Sequence, residues 1–171
     1  MLIMDLECDG FYDTVSQIHC ICIYDTDTEQ MMRYNDVGSQ EPVVRGVQVL
    51  ETADVIAGHN VINFDLRIIK KIYDWFNPQG VVIDTLLLSR LYHANIMEVD
   101  RRHKWTQMPA QQYGRHGLES WGYRLNEYKG EFAKQTDWKE WSLQMEDYCE
   151  QDVKVTTKLL CDHFIPKYLI G

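Results

Sequence analysis

The spacing of apolar residues changes period once along this chain, and that change restricts the fold more than any other feature. Leu2 to Cys8 alternates weakly, and Gln17 to Tyr24 (QIHCICIY) alternates cleanly, with isoleucine and cysteine interleaved. Gln30 to Tyr34 supplies a third extended run after the polar turn Asp25-Thr26-Asp27-Thr28. Period-two patterning places successive side chains on opposite faces of a strand, so these runs predict an antiparallel meander. Asp9-Gly10 marks a turn between the first two, although the connection is longer than a two-residue hairpin.

Beyond the meander the pattern alternates between helices and short buried strands. Val43, Val44, Val47 and Leu50 suit a helix, and Asp54 to Ala57 suits a strand ending at Gly58. Phe64 to Phe76 carries a wide apolar stripe and is stopped by Asn77-Pro78-Gln79-Gly80. Val81 to Ile83 is a further strand, after which Asp84 is placed to cap a helix over Thr85 to His93. Asn95 to Tyr113 reads as irregular, Gly117 to Leu125 as a helix, and Trp138 to Leu160 as a long C-terminal helix. Three antiparallel strands followed by alternating helices and strands predict an α/β layer fold around a mixed sheet. No repeat, low-complexity tract or linker divides residues 1–171, so a single domain is expected.

Composition narrows the function. Seventeen Lys and Arg against 26 Asp and Glu give a formal charge of −9, which argues against a broad, sequence-blind grip on nucleic acid. It leaves room for an enzyme that holds a short strand end while bound cations neutralise the local charge. No membrane-length apolar run and no basic leader are legible, so a soluble, cytoplasmic protein without membrane association is expected. The five cysteines are irregularly placed with no C-x-x-C pair, and read as reduced, buried thiols.

Chemistry enters with the acids. Asp5 and Glu7, two apart on a strand, share a face, and paired carboxylates in apolar surroundings repel unless a cation lies between them. An Asp-x-Glu triplet is expected by chance about 0.6 times in such a chain, so this pair alone decides nothing. Asp65 stands at a helix start, where the macrodipole also favours an acid. Asp152 lies one helical turn after Tyr148, which stacks both on one helix face.

Their order along the chain is the informative property. Asp5-Leu6-Glu7, Asn60-x-x-x-Phe64-Asp65 and Tyr148-x-x-x-Asp152 resemble the three motifs of the DEDD 3′–5′ exonucleases, a DnaQ-like group of the ribonuclease-H-like fold. The histidine subclass would carry its histidine at position 147, which here is Asp147, so the chain resembles the tyrosine subclass. Ile83 to Asn95, Gly114 to Phe132 and Met145 to Leu160 further resemble the N-terminal proofreading domain of short-tailed-phage family-A DNA polymerases. Those polymerases continue into thumb, palm and fingers; an excised domain and a free-standing exonuclease are both compatible with the sequence.

The resemblance implies a ribonuclease-H-like mixed five-stranded sheet flanked by helices, and hydrolysis of the terminal phosphodiester bonds of single-stranded or frayed DNA. It implies that Asp5, Glu7, Asp65 and Asp152 hold two Mg2+ or Mn2+ ions and that Tyr148 orients the attacking water. It also implies that Asn60 lines the substrate cleft and that Phe11 wedges between the last two bases. A DNA polymerase, fused or separate, is the implied partner and proofreading in phage replication the implied use. An RNA-trimming exonuclease of the same subclass and a catalytically silent strand-binding or polymerase-docking domain are the alternatives. Asp84 reads as a helix cap, His59 and His116 as structural or substrate-lining, and the tryptophans at 75, 121, 138 and 141 as core anchors. Arg101 to Lys104, the one basic cluster of the Asn95–Tyr113 stretch, reads as a solvated loop, with guidance of single-stranded DNA as the alternative.

Overall fold

The computed structural model describes residues 1–38, 40–128 and 137–169. Strands β1 (Leu2–Cys8), β2 (Ile18–Asp25) and β3 (Gln30–Asn35) form the expected antiparallel meander. β4 (Val55–Gly58) and β5 (Val81–Asp84) extend the sheet parallel to β1 on its other side, giving the order β3-β2-β1-β4-β5. The mixed five-stranded sheet follows from the change of period: hairpins join antiparallel neighbours, whereas parallel neighbours need crossovers long enough to hold a helix.

β1 is central and therefore covered on both faces. Met4 and Leu6 pack with Val43, Val47 and Leu50 of α1 (Val43–Glu51) and with Ile68 and Ile69 of α2 (Asp65–Ile72). The opposite face takes Ile3, Cys20 and Cys22 against Cys149 and Val153 of α6 (Leu143–Thr157), with Trp121 of α5 (Leu118–Arg124). Full burial of each aliphatic side chain contributes roughly 1.5–3 kcal/mol. Polar ties then fix α6 across the sheet: Asn35 donates to Glu146 at 2.7 Å, and Arg33 pairs with Asp147 at 2.8 Å and Glu150 at 2.7 Å.

Four features differ from the sequence expectation. α2 ends at Ile72 rather than Phe76, because the chain turns at Tyr73 (the Phe76 amide donates to the Tyr73 carbonyl at 3.0 Å) and returns Phe76 to the core. The stretch expected to be irregular contains α4 (Ile96–His103), which follows α3 (Thr85–Tyr92). Its anchor is polar: buried Asp100 accepts hydrogen bonds from Trp105, the Gly114 amide and the Nε and Nη2 of Arg124 at 2.7–2.9 Å. Arg101, Arg102 and His103 thus form the last turn of a helix rather than a loop, with Lys104 as its cap. α6 starts at Leu143, where the Ser142 hydroxyl accepts from the Met145 amide at 3.1 Å, so Trp138 and Trp141 precede it. Past Thr157 the chain continues in π-helical turns from Lys158 to Leu169, beyond the expected end at Leu160. The last part of the Gly114–Phe132 stretch, from residue 129, lies outside the described residues.

Candidate active site

Asp5 and Glu7 project from the centre of the sheet toward α6. The register sets Asp5 opposite Cys22 and Glu7 opposite Cys20, so two thiols border the two carboxylates. α6 crosses the same face with Tyr148, Cys149 and Asp152 within just over one turn. The ligand atoms of Asp5, Glu7 and Cys149 all lie within 4.8 Å of one another.

Asp65 arrives from the other layer by a loop that presses against β1. β4 ends at Gly58, where a side-chain carbon would sit 3.0 Å from the Met4 carbonyl and 2.8 Å from Val61, so only glycine lets the strands approach this closely. Asn60 takes a left-handed conformation, φ 61°. Asp84, at the end of β5, accepts from the Asn60 amide at 2.9 Å and the Ile62 amide at 3.2 Å while capping α3 through the Leu86 amide at 2.9 Å. One carboxylate thereby fixes two loops, and α2 begins directly afterwards with Asp65.

The acids are buried together without a compensating cation among the described residues. Glu7 is 8% exposed and Asp65 4%. Burial raises the pKa of Asp5 to about 7, even though hydrogen bonds from Cys149 and the Leu6 backbone pull it back. Burial first, and then the neighbouring carboxylates, push Glu7, Asp65 and Asp152 well above the ordinary carboxylate range. Burial and the charges of Asp152, Glu7 and Asp5 raise Tyr148 as well, so its phenol stays protonated. Among the described residues no Lys, Arg or His pairs with any of the four acids. Crowded hard oxygen donors lacking a protein counter-charge fit a divalent cation.

The chain is 31% identical over 200 aligned residues to the DNA-directed DNA polymerase of Escherichia phage T7, the alignment covering 97% of this chain and 27% of the polymerase. Against the enzyme of the same name from Enterobacteria phage T3 it is 30% identical over 195 residues, with the same coverage. It therefore spans about a quarter of the length of these curated relatives. Among solved structures it resembles Brucella melitensis NrnC with bound Mg2+ (TM-score 0.60, 18% identity, 94% of this chain and 70% of that one). It also resembles the zinc-bound Escherichia coli ExoI–ssDNA complex (TM-score 0.58, 15% identity, 98% of this chain and 40% of that one). No protein-family model matches the chain. The chain has the ribonuclease-H-like fold of these structures.

In this chain a cavity of about 560 Å³ opens beside Glu7, and Gly10, Phe11, Phe64 and Trp138 are among the residues that line it. Phe11 is 82% exposed at its mouth, which a core role would not produce. Asn60 is not among the lining residues; its backbone is tied to Asp84 instead. Trp121 is buried as expected of a core anchor, whereas Trp75 is 42% exposed.

Four residues have roles here beyond what their sequence setting implies. Trp138 lines the cavity and is not a core anchor. Cys149 is a buried thiol that also reaches the carboxylates; its position directly after Tyr148 is the available signal. Asp84 is the expected cap and also grips the Asn60 loop. Glu119 adds negative potential at both Asp152 and Tyr148, and no pattern in the sequence pointed to it.

Proposed function

We propose that this chain is a single 3′–5′ exonuclease domain that hydrolyses terminal phosphodiester bonds of single-stranded or frayed DNA, with proofreading in phage DNA replication as its use. The observation that carries this reading is the convergence of acids from three separate segments, Asp5 with Glu7, Asp65 and Asp152, beside an aromatic cavity wide enough for a terminal nucleoside. Homology to phage DNA polymerases favours DNA over RNA as substrate and a polymerase as partner. Similarity in fold to NrnC with Mg2+ and to an ExoI–ssDNA complex supports a divalent cation and a single strand.

Asp5, Glu7, Asp65 and Asp152 would hold two Mg2+ or Mn2+ ions. The chemistry such ions supply when bound is activation of water and neutralisation of charge on the scissile phosphate and the departing 3′ oxygen. The protein's own groups do the positioning. Tyr148, kept protonated by its surroundings, donates a hydrogen bond that aims the attacking water; it is too weak an acid to serve as the base. Phe11 wedges under the terminal base, while Phe64 and Trp138 offer stacking surface worth roughly 1–3 kcal/mol per base. Asn60 acts through its backbone, whose bond to Asp84 steadies the loop that leads to Asp65.

The test is cleavage of a 5′-labelled DNA oligonucleotide, a matched RNA and a 3′-blocked DNA, each with Mg2+ or with EDTA. A ladder shortening from the 3′ end, dependent on the cation and weaker on RNA, is expected. Degradation of the 3′-blocked strand, or undiminished cleavage in excess EDTA, would refute the reading.

A further inference from the structure

This inference rests on the nuclease reading above and concerns the strand upstream of the bond that is cut. The loop carrying Phe11 is tightly built. The Asp9 carboxylate accepts from the Ser16 amide at 2.8 Å, the Gln17 amide at 3.1 Å and the Ser16 hydroxyl. The amides of Thr14 and Val15 both donate to the Phe11 carbonyl, at 2.9 and 2.8 Å. Beside Phe11, Tyr12 lies under two cations from α2: the Arg67 guanidinium is 4.2 Å from its ring centre and the Lys71 ammonium 5.1 Å. Lys71 also donates to the Tyr12 carbonyl.

Arg67 and Lys71 are exposed, and among the described residues neither pairs with a carboxylate. In a chain of net charge −9, they sit on the helix whose first residue is the site acid Asp65 and whose cap, Phe64, walls the cavity. The Arg67 guanidinium spends one donor on Asn63 Oδ1 at 3.4 Å; of its five N–H groups others remain along its edge, and an ammonium with one acceptor keeps two donors. From Asp65 to Lys71 the helix rises about 9 Å, the span of two to three phosphates at the ~3.4 Å axial spacing of a stacked strand.

We propose that Arg67 and Lys71, held on Tyr12, form a phosphate subsite for single-stranded DNA, so that the strand runs from the Phe11–Trp138 cavity along the exposed face of α2. The rival is a purely internal clamp that only steadies the Phe11 loop. Substrate length separates them, because a dinucleotide has only the scissile phosphate and cannot reach the subsite.

The experiment compares the wild-type chain with Arg67→Gln, Lys71→Gln and the double variant. Binding of a dinucleotide and an octanucleotide of DNA is measured by fluorescence anisotropy in Ca2+, across a salt series, with cleavage in Mg2+ and thermal unfolding in parallel. For the octanucleotide, the double variant is expected to weaken binding about 10-fold and to flatten the slope of log Kd against log salt by about 1.4, two phosphates at ~0.7 each. Dinucleotide binding, maximal cleavage rate and Tm should stay at wild-type values. Equal losses on both lengths, a lowered Tm with an unchanged salt slope, or no effect at either length would overturn the subsite. Failure of the wild type to cleave any strand would count against the nuclease reading alone, since the salt slope still reports the phosphate contacts.

Discussion

Tyr148 and Asp152 share one face of α6, and single substitutions should separate their roles. Tyr148→Phe deletes a hydroxyl and almost no volume, so the ring keeps its packing. The expected loss is on the order of 10- to 100-fold in single-turnover rate, matching a hydrogen bond of about 1.5–3 kcal/mol to a charged group, with Tm unchanged. Asp5→Ala, Glu7→Ala and Asp152→Ala should each cost at least ~10³-fold, because each removes part of the charge clamp around the phosphate. Rapid-quench kinetics on a short single strand at saturating Mg2+ read both effects. A Tyr148→Phe variant at full rate would make the phenol a packing residue. Wild-type turnover in any of the acid variants would remove that acid from the site.

At the scale of elements, the loop between β4 and α2 depends on a side chain from β5. Asp84 accepts from two amides of that loop and one of α3, and it is only 6% exposed. Asp84→Ala strands these donors, at roughly 1–3 kcal/mol for each that water cannot reach. A fall in Tm of about 5–15 °C is expected for a chain of this size. Asp65 follows the loop directly, so Mg2+ affinity measured by calorimetry should fall as well, although Asp84 is not placed among the ligands. Unchanged Mg2+ affinity in a destabilised variant would mean that α2 positions Asp65 without help from the loop.

For the whole molecule, the acids make metal-free stability depend on pH in a particular direction. The folded protein holds the Asp5 proton up to about pH 7, whereas an unfolded aspartate releases it near pH 3.9. Between those values the native state binds more protons than the unfolded one, so stability falls as pH rises. Glu7, Asp65 and Asp152 act in the same sense. In EDTA, Asp5→Asn should therefore raise Tm above wild type, by more at pH 8 than at pH 5. Saturating Mg2+ should reverse the order, because the wild type gains more from a ligand that binds only the native state. Differential scanning calorimetry at both pH values, with and without Mg2+, checks this. A difference between the two proteins that ignores pH would show that Asp5 is not strained by burial.

Much of this was written in the linear chain. Period-two runs dictated β1 to β3, because successive side chains of a strand must pack into the layers on its opposite faces, and glycine and proline punctuation bounded the later elements. The order of Asp5, Glu7, Asp65, Tyr148 and Asp152 was legible because three short motifs keep their spacing whatever intervenes. Helix α4 was not, since the feature that fixes it is Asp100, whose partners Trp105, Gly114 and Arg124 come from outside the helix. Trp138 and Cys149 likewise looked like core residues, because hydropathy gives a side chain's preference for burial and not what it is buried against. Only the tertiary structure decided that Trp138 lines the cavity and that Cys149 lies against Asp5. Contacts between residues more than a hundred positions apart depend on how layers stack, and no local period encodes that.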